Sequence, residues 1–247
     1  MADYDNRIVR GQTATTDVID AGLRAHMLRV YNYMLIGLVL TGSTAWVVAT
    51  VPAVRDLFFA INPQNGHPGL SALGWVAFIA PLGLVLLLSF RIQHMSVGAA
   101  QATFWGYAAL LGVSLAPVLL LYTGASVAQV FFITAATFGA MSLYGYTTRS
   151  DLSSWGSFLF MGLIGIIIAS LVNMFLASGM VSFVISVIGV IVFTGLTAYD
   201  TQVIKEMYVA SDDGTVAGRK AIMGALKRYL DFVNLFLMLL RLLGNRR

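Results

Sequence analysis

Polar residues in this chain gather at its start and at a few short breaks. Between them lie apolar stretches of the length that membrane-crossing helices need. Six runs qualify: 31–51, 70–90, 99–122, 126–146, 155–177 and 180–199, none with an Asp, Glu, Lys or Arg inside it. A helix needs about 20 apolar residues to cross ~30 Å of hydrocarbon. Between Ile92 and Thr148 only His94 can carry a charge. The breaks there are read from Gly98 and from Thr123-Gly124-Ala125. The second is short enough to predict an antiparallel hairpin of the third and fourth runs. Small residues at four-residue spacing (Gly98, Ala102 and Gly106; Ala135 and Gly139) predict close helix packing. Pro81 and Pro117 fall inside runs. They predict kinks whose freed carbonyls neighbouring helices satisfy.

A seventh run, 224–243, differs. Its uninterrupted part, 229–243, has only fifteen residues, about 22 Å of helix. Lys227 and Arg228 precede it and Arg241 falls near its end. So short a run suits a central or re-entrant helix better than a lipid-facing one. Ahead of the first run, 1–16 is polar and expected to lack structure. Asp17 suits the cap of a short helix to about Arg29, with Leu23, Met27 and Val30 at helical spacing. That helix fits either a membrane surface or a soluble lead-in. The fold class expected is all-α integral membrane: a seven-helix bundle whose short last helix is central, wrapped by the other six. Residues 1–26 would be the tail and short helix, and 27–247 a single membrane domain.

Composition agrees with lipid as the solvent. Of 247 residues, 58% are hydrophobic and 11% charged, against roughly 25% charged in a soluble domain. Mean hydropathy is +0.83. With no Cys, neither disulfides nor thiolate metal sites are available. The net charge of +4 comes from basic residues at the ends of apolar runs. They read as topology anchors, not as a nucleic-acid surface. The polar, mixed-charge start predicts no cleavable signal. With the N-terminus inside, the inner segments hold eleven Lys and Arg and the outer ones four: Arg55, Arg241, Arg246 and Arg247. That ratio favours a cytoplasmic N-terminus. It leaves the last helix either crossing, with Arg246-Arg247 outside, or re-entering.

Two carboxylates stand out against this background. Asp200 closes the sixth run in Gly195–Tyr208, and Asp231 sits in the seventh. An ionised Asp at mid-membrane costs about 2.5–3.5 kcal/mol on insertion scales, so each should face a partner or a water-filled cavity. On one helix Asp231, Asn234, Met238 and Arg241 form a mostly polar stripe. If the two acids meet, like charges in a low dielectric share one proton, which makes a pH-sensitive switch. Ionised, the pair offers hard oxygens suited to Ca²⁺, with Asn234 or backbone carbonyls adding ligands. Alternatively, Asp200 only ends a helix and Asp231 pairs with Arg241 or Lys227. Arg91, ending the second run, is either a latch on one Asp or an inside anchor. Lys205, Glu206, Asp212, Asp213, Arg219 and Lys220 form a mixed-charge loop expected to be solvated. No cofactor is expected.

Catalytic patterns are not complete. Ser114 in Gly112-Val113-Ser114 lacks a base, because His26, His67 and His94 fall outside the runs. Tyr199-Asp200 matches one motif of aspartyl intramembrane proteases, but Gly-x-Gly-Asp and Pro-Ala-Leu are absent. No phosphate loop or zinc motif occurs.

Five segments together carry a family resemblance: Met27-Leu28-Arg29-Val30-Tyr31, Gly112 to Pro117, Thr148 to Ser153, Gly195 to Gln202 with its Tyr-Asp-Thr-Gln core, and Tyr229 to Gly244. From about Ala21 to Gly244 the chain resembles the Bax inhibitor-1 family, in its YccA- and YetJ-like bacterial branch. The resemblance implies a pH-sensitive Ca²⁺ leak with Asp200 and Asp231 as sensor. It makes Arg91 the candidate for a family arginine that latches the helix-seven aspartate. The glutamate that some relatives carry in helix two is missing. YccA-like members imply a second class: a non-transporting partner of a membrane AAA protease, contacted through the N-terminal tail. The expected location is a bacterial inner membrane.

Overall fold

The computed structural model describes residues 2–61 and 68–247, with side chains for 21–60 and 69–247. Among the described residues there are eight α-helices: α1 (Ala2–Thr50), α2 (Pro52–Phe58), α3 (Ala72–Arg91), α4 (Val97–Leu121), α5 (Gly124–Thr147), α6 (Ser153–Leu176), α7 (Gly179–Glu206) and α8 (Gly214–Leu243). Six of them, α1 from Ala21 on and α3 to α7, are long and apolar enough to cross a membrane. Ser71, Ser96, Thr123, Ser178 and Asp213 each cap the helix that follows by accepting an orphan amide. Between α2 and α3 the strands Phe59–Ile61 and Pro68–Leu70 pair antiparallel, an element the hydropathy pattern does not predict.

Three expectations change. No break separates a short helix ending near Arg29 from the first span. Met27 and Val30 are buried in the main core with Leu23 packed beside them, so their apolar face meets the bundle and not a membrane surface. The last helix is not short: α8 has 30 residues, because small residues such as Gly218, Ala221, Gly224 and Ala225 extend its buried face N-terminal to the apolar run. It packs against α7, α1, α5 and α4, while α3 lies chiefly on α4 and α6 on α7. Four helices therefore embrace it rather than six. The turn between α4 and α5 is as short as expected. Yet the two helices do not pack along their lengths: α4 lies on α1, α3 and α8, and α5 on α7 and α8.

The C-terminal residues fill the gap at that turn. Tyr122 bridges Arg246, the Thr123 amide donates to the Asn245 carbonyl (3.0 Å), and the Asn245 amide donates to Ser126 Oγ (2.9 Å). Near the other end of α8, Arg219 Nε donates 2.7 Å to the Met95 carbonyl, just before α4. α8 thus runs parallel to α4 from one end of the bundle to the other and does not turn back.

The close approaches occur elsewhere than at the expected small-residue stripes. Gly98 and Gly139 face open space and Gly106 barely touches Leu84. A Cβ on Gly112 would lie 2.5 Å from the Thr41 carbonyl of α1, and one on Gly145 would strike the Ala198 carbonyl of α7. Gly145→Val is therefore expected to cost about 3 kcal/mol by overpacking. Gly139→Val, on an open face of the same helix, should be tolerated. Melting temperatures of the two purified variants check this; equal values would refute the backbone approach.

Pro81 sits inside α3 and frees the carbonyl of Ala77. Ser114 Oγ of α4 donates to that carbonyl (3.3 Å) and to Leu110 O (3.2 Å). Ser114 thus closes a helix defect, as the expectation about freed carbonyls requires. The outward faces of the six apolar helices carry large exposed side chains, among them Val39, Trp46, Phe78, Phe132 and Phe175. Side chains of this kind exposed all round a helical bundle suit lipid as the solvent.

Candidate functional site at the α7–α8 contact

Asp200 comes from the sixth turn of α7 and Asp231 from the middle of α8, the two helices most buried along their lengths. Small side chains bring these helices and their neighbours close. Gly189 lies under Met238, Gly195 under Leu159, and Ala198 against Gly145. Both carboxyls are buried, at 9% and 5% exposure, on facing stretches of α7 and α8, close enough for their charges to act on each other. Two carboxylates brought together in a low dielectric disfavour both being ionised at once. Oδ2 of Asp231 finds no hydrogen-bond partner among the described residues.

The residue that completes the site is one the sequence did not single out. Arg228, one turn before Asp231 on α8, is wholly buried. Its guanidinium donates to Thr201 Oγ1 of α7, Ser142 Oγ of α5 and the Tyr31 hydroxyl of α1 (3.0 Å). It also lies 4.6 Å from the centre of the Phe138 ring and 4.7 Å from that of Tyr31, a favourable cation–π arrangement. One buried cation thus ties α8 to three surrounding helices while its charge acts on both acids. Lys227 Nζ stands 3.8 Å from Asp200 Oδ1 with its side chain 37% exposed, so the second cation reaches the pair from a wetter side. Beside this cluster, Tyr229 packs edge-on to Phe104 and Tyr107, and its hydroxyl is 2.5 Å from Thr41 Oγ1.

The other expected site residues are not brought to the pair. Arg91 is exposed at the end of α3 and makes no ion pair among the described residues. Arg241 is exposed at the far end of α8, and Asn234 is half-buried with Nδ2 donating to the Leu230 carbonyl (2.8 Å). The stripe stays in the core as far as Met238 and leaves it only at Arg241. Among the residues those alternatives named, the two acids lie close enough to act on each other, and Lys227 rather than Arg241 stands beside Asp200.

The Tyr-Asp-Thr-Gln segment has a second structural task. Gln202 Oε1 accepts from the Leu152 amide (2.8 Å), and its Nε2 donates to the Ser150 carbonyl (3.0 Å), clamping the α5–α6 link. In that link, hydrogen bonds from Ser153 hold the Asp151 carboxyl below the usual carboxylate range. The mixed-charge loop is also more ordered than expected. Lys220 pairs with Asp212 at 2.5 Å, and Lys205 Nζ donates 3.1 Å to the Tyr146 carbonyl at the end of α5.

A family model described as "Inhibitor of apoptosis-promoting Bax1" matches residues 23–247. The chain is 48% identical to the uncharacterized protein RP147 of Rickettsia prowazekii over the full length of both. It is 48% identical to the inner membrane protein YbhL of Escherichia coli, over 92% of this chain and 94% of that one. An uncharacterized protein of Caulobacter vibrioides is 46% identical over 93% and 92% of the two chains. Matches of this extent, with six apolar helices around a buried acid pair, place the chain in the Bax inhibitor-1 family of multi-pass membrane proteins.

Proposed function

We propose that this protein is a pH-gated Ca²⁺ leak, with α8 as its seventh membrane crossing and Asp200 and Asp231 as its proton-sensing pair. The observation that carries the reading is the facing of these two carboxyls in the bundle core. A pair that must share a proton changes its charge with pH as one unit. Here that charge is set against Arg228 and Lys227, so taking up or losing a proton alters the attraction between α7 and α8.

Ca²⁺ enters this scheme as cargo. The cation takes 6–8 oxygen ligands, and the pair supplies four at most. The remainder would come from water and from Asn234 Oδ1, one turn further along α8. The arrangement described is a closed one, since internal cations already occupy the positive role. Beyond Asp231, Leu235, Met238 and Leu239 of α8 pack on Val192, Phe193 and Leu196 of α7 as an apolar plug. On the opposite side Lys227, half-exposed, is the movable member. With the N-terminus cytoplasmic, as the basic residues favour, the pair titrates from the cytoplasm and the plug faces outward.

Ca²⁺ entry into proteoliposomes loaded with a fluorescent indicator tests the reading. Flux above protein-free liposomes that varies across about pH 5–8 is the expected result. No flux at any pH would overturn it. The case would then pass to the partner of a membrane AAA protease, to be sought by pull-down. That second reading leans on residues 1–16, whose side chains lie outside the described residues.

A further inference from the structure

At the end of the bundle away from Lys227, a cavity of about 780 Å³ opens between α4, α6, α7 and α8. Its lining is basic. Arg241 from the last turn of α8 and Arg246 from the C-terminal segment both border it, and no Asp or Glu does. Neither arginine has a carboxylate partner among the described residues. Arg246 lies 5.9 Å from the centre of the Tyr122 ring, which holds it at the rim. The only acid in the links at this end is Asp56, already 3.4 Å from Arg55.

Hydroxyls line the opposite wall. Ser182 Oγ accepts from Asn173 Nδ2 (2.8 Å), which leaves its own proton to donate. Ser170 and Ser186 stand on the same wall, Ser186 Oγ already donating to the Ser182 carbonyl (2.8 Å). Asn173 Oδ1 in turn accepts from the Ser178 amide (3.1 Å) and fixes the α6–α7 turn, where Ala177 takes a left-handed φ of 49°. The first residues of α7 border the cavity too, so the positive end of that helix adds to the field.

Two guanidiniums, donor hydroxyls and a helix N-terminus with no acid among them are the chemistry of an oxyanion site. The remaining wall says which oxyanion. Met174 and Phe183, 69% and 57% exposed, continue the cavity onto the lipid-facing girdle, and its inner wall is Leu115, Val118 and Leu237. A bare ion has no use for that apolar extension or for so large a volume; a headgroup carrying acyl chains has. We propose that this cavity binds the phosphodiester head of an anionic phospholipid, its phosphate on Arg241 and Arg246 and its chains along α6 and α7. The proposal stands on the cavity alone and does not depend on calcium transport.

Native mass spectrometry of the full-length protein, titrated with phosphatidylglycerol or phosphatidylcholine, tests it. Wild type should retain one phosphatidylglycerol in preference to phosphatidylcholine. Arg241→Gln combined with Arg246→Gln should weaken that retention about tenfold. Both arginines are exposed, so the variant should remain folded, which a single sharp peak on size exclusion verifies. Arg55→Gln, on the same end but outside the cavity, should retain lipid as wild type does. Equal retention by wild type and the double variant would overturn the proposal, as would equal loss in Arg55→Gln. Displacement of the lipid by an equal concentration of inorganic phosphate would overturn the lipid assignment in favour of a soluble oxyanion.

Discussion

Arg228→Leu should destabilise the protein by about 3–5 kcal/mol, the usual effect of removing one partner from a buried charge cluster. Leu replaces only the aliphatic stem, so the cavity left by the guanidinium adds to the electrostatic loss. Thr201, Ser142 and Tyr31 lose the donor they share, and α8 loses its polar ties to α7, α5 and α1. Asp200 keeps only Lys227, at 3.8 Å and partly in solvent, and Asp231 has no ion pair among the described residues. The melting temperature of the purified protein should fall by about 10 °C. A double-mutant cycle identifies the cause. If Arg228 compensates Asp231, adding Asp231→Asn should cost less in the Arg228→Leu background than in wild type. Additive losses would mean that the arginine acts only as a structural tie.

Asp231→Asn should flatten the pH response of Ca²⁺ leak across about pH 5–8. Asn preserves the shape of the side chain but cannot exchange a proton. The facing carboxyl of Asp200 then has no partner with which to share one, and the pair ceases to titrate as a unit. Asp200→Asn should flatten the profile as well, since the response belongs to the pair and not to either member. The two variants should differ at fixed pH, because Asp200→Asn also frees Lys227 while Asp231→Asn leaves that contact in place. A profile in Asp231→Asn that overlays wild type would remove the pair from the sensor role, whatever the size of the flux.

The two acids are legible in the sequence because each is a lone carboxylate against an apolar stretch, which lipid penalises. The buried arginine near them is not, and the reason is local. Arg228 follows Lys227 at the edge of an apolar run, where paired basic residues ordinarily mark an interface. The signal that separates them is periodicity. Ala221, Ala225, Phe232, Leu235 and Leu239 follow a three-and-four spacing along the buried face of α8, and Arg228 falls within that series. Glycine and alanine in this stretch disguise the face as a polar loop, which also makes α8 look half its length. Arg91 misleads in the opposite sense, since isolation in sequence says nothing of reach and the end of α3 lies away from the pair. Helix existence and number of apolar spans follow from composition. Which helices touch depends on single glycines such as Gly112 and Gly145, whose partners no spacing rule names.

The most enclosed helix of this bundle is made after the other seven. α8 carries Lys227, Arg228 and Asp231, a load that would make it a poor entrant into lipid on its own. Each group that satisfies Arg228 lies on a helix made earlier: Tyr31 on α1, Ser142 on α5, Thr201 on α7. Assembly therefore proceeds from the periphery inward, with the earlier helices holding a polar vacancy until the final segment arrives. The strand-like clasp of Asn245 and Arg247 on the turn after α4 can close only once α8 has been made. A chain interrupted within α8 before Arg228 would leave Tyr31, Ser142 and Thr201 without the donor they share.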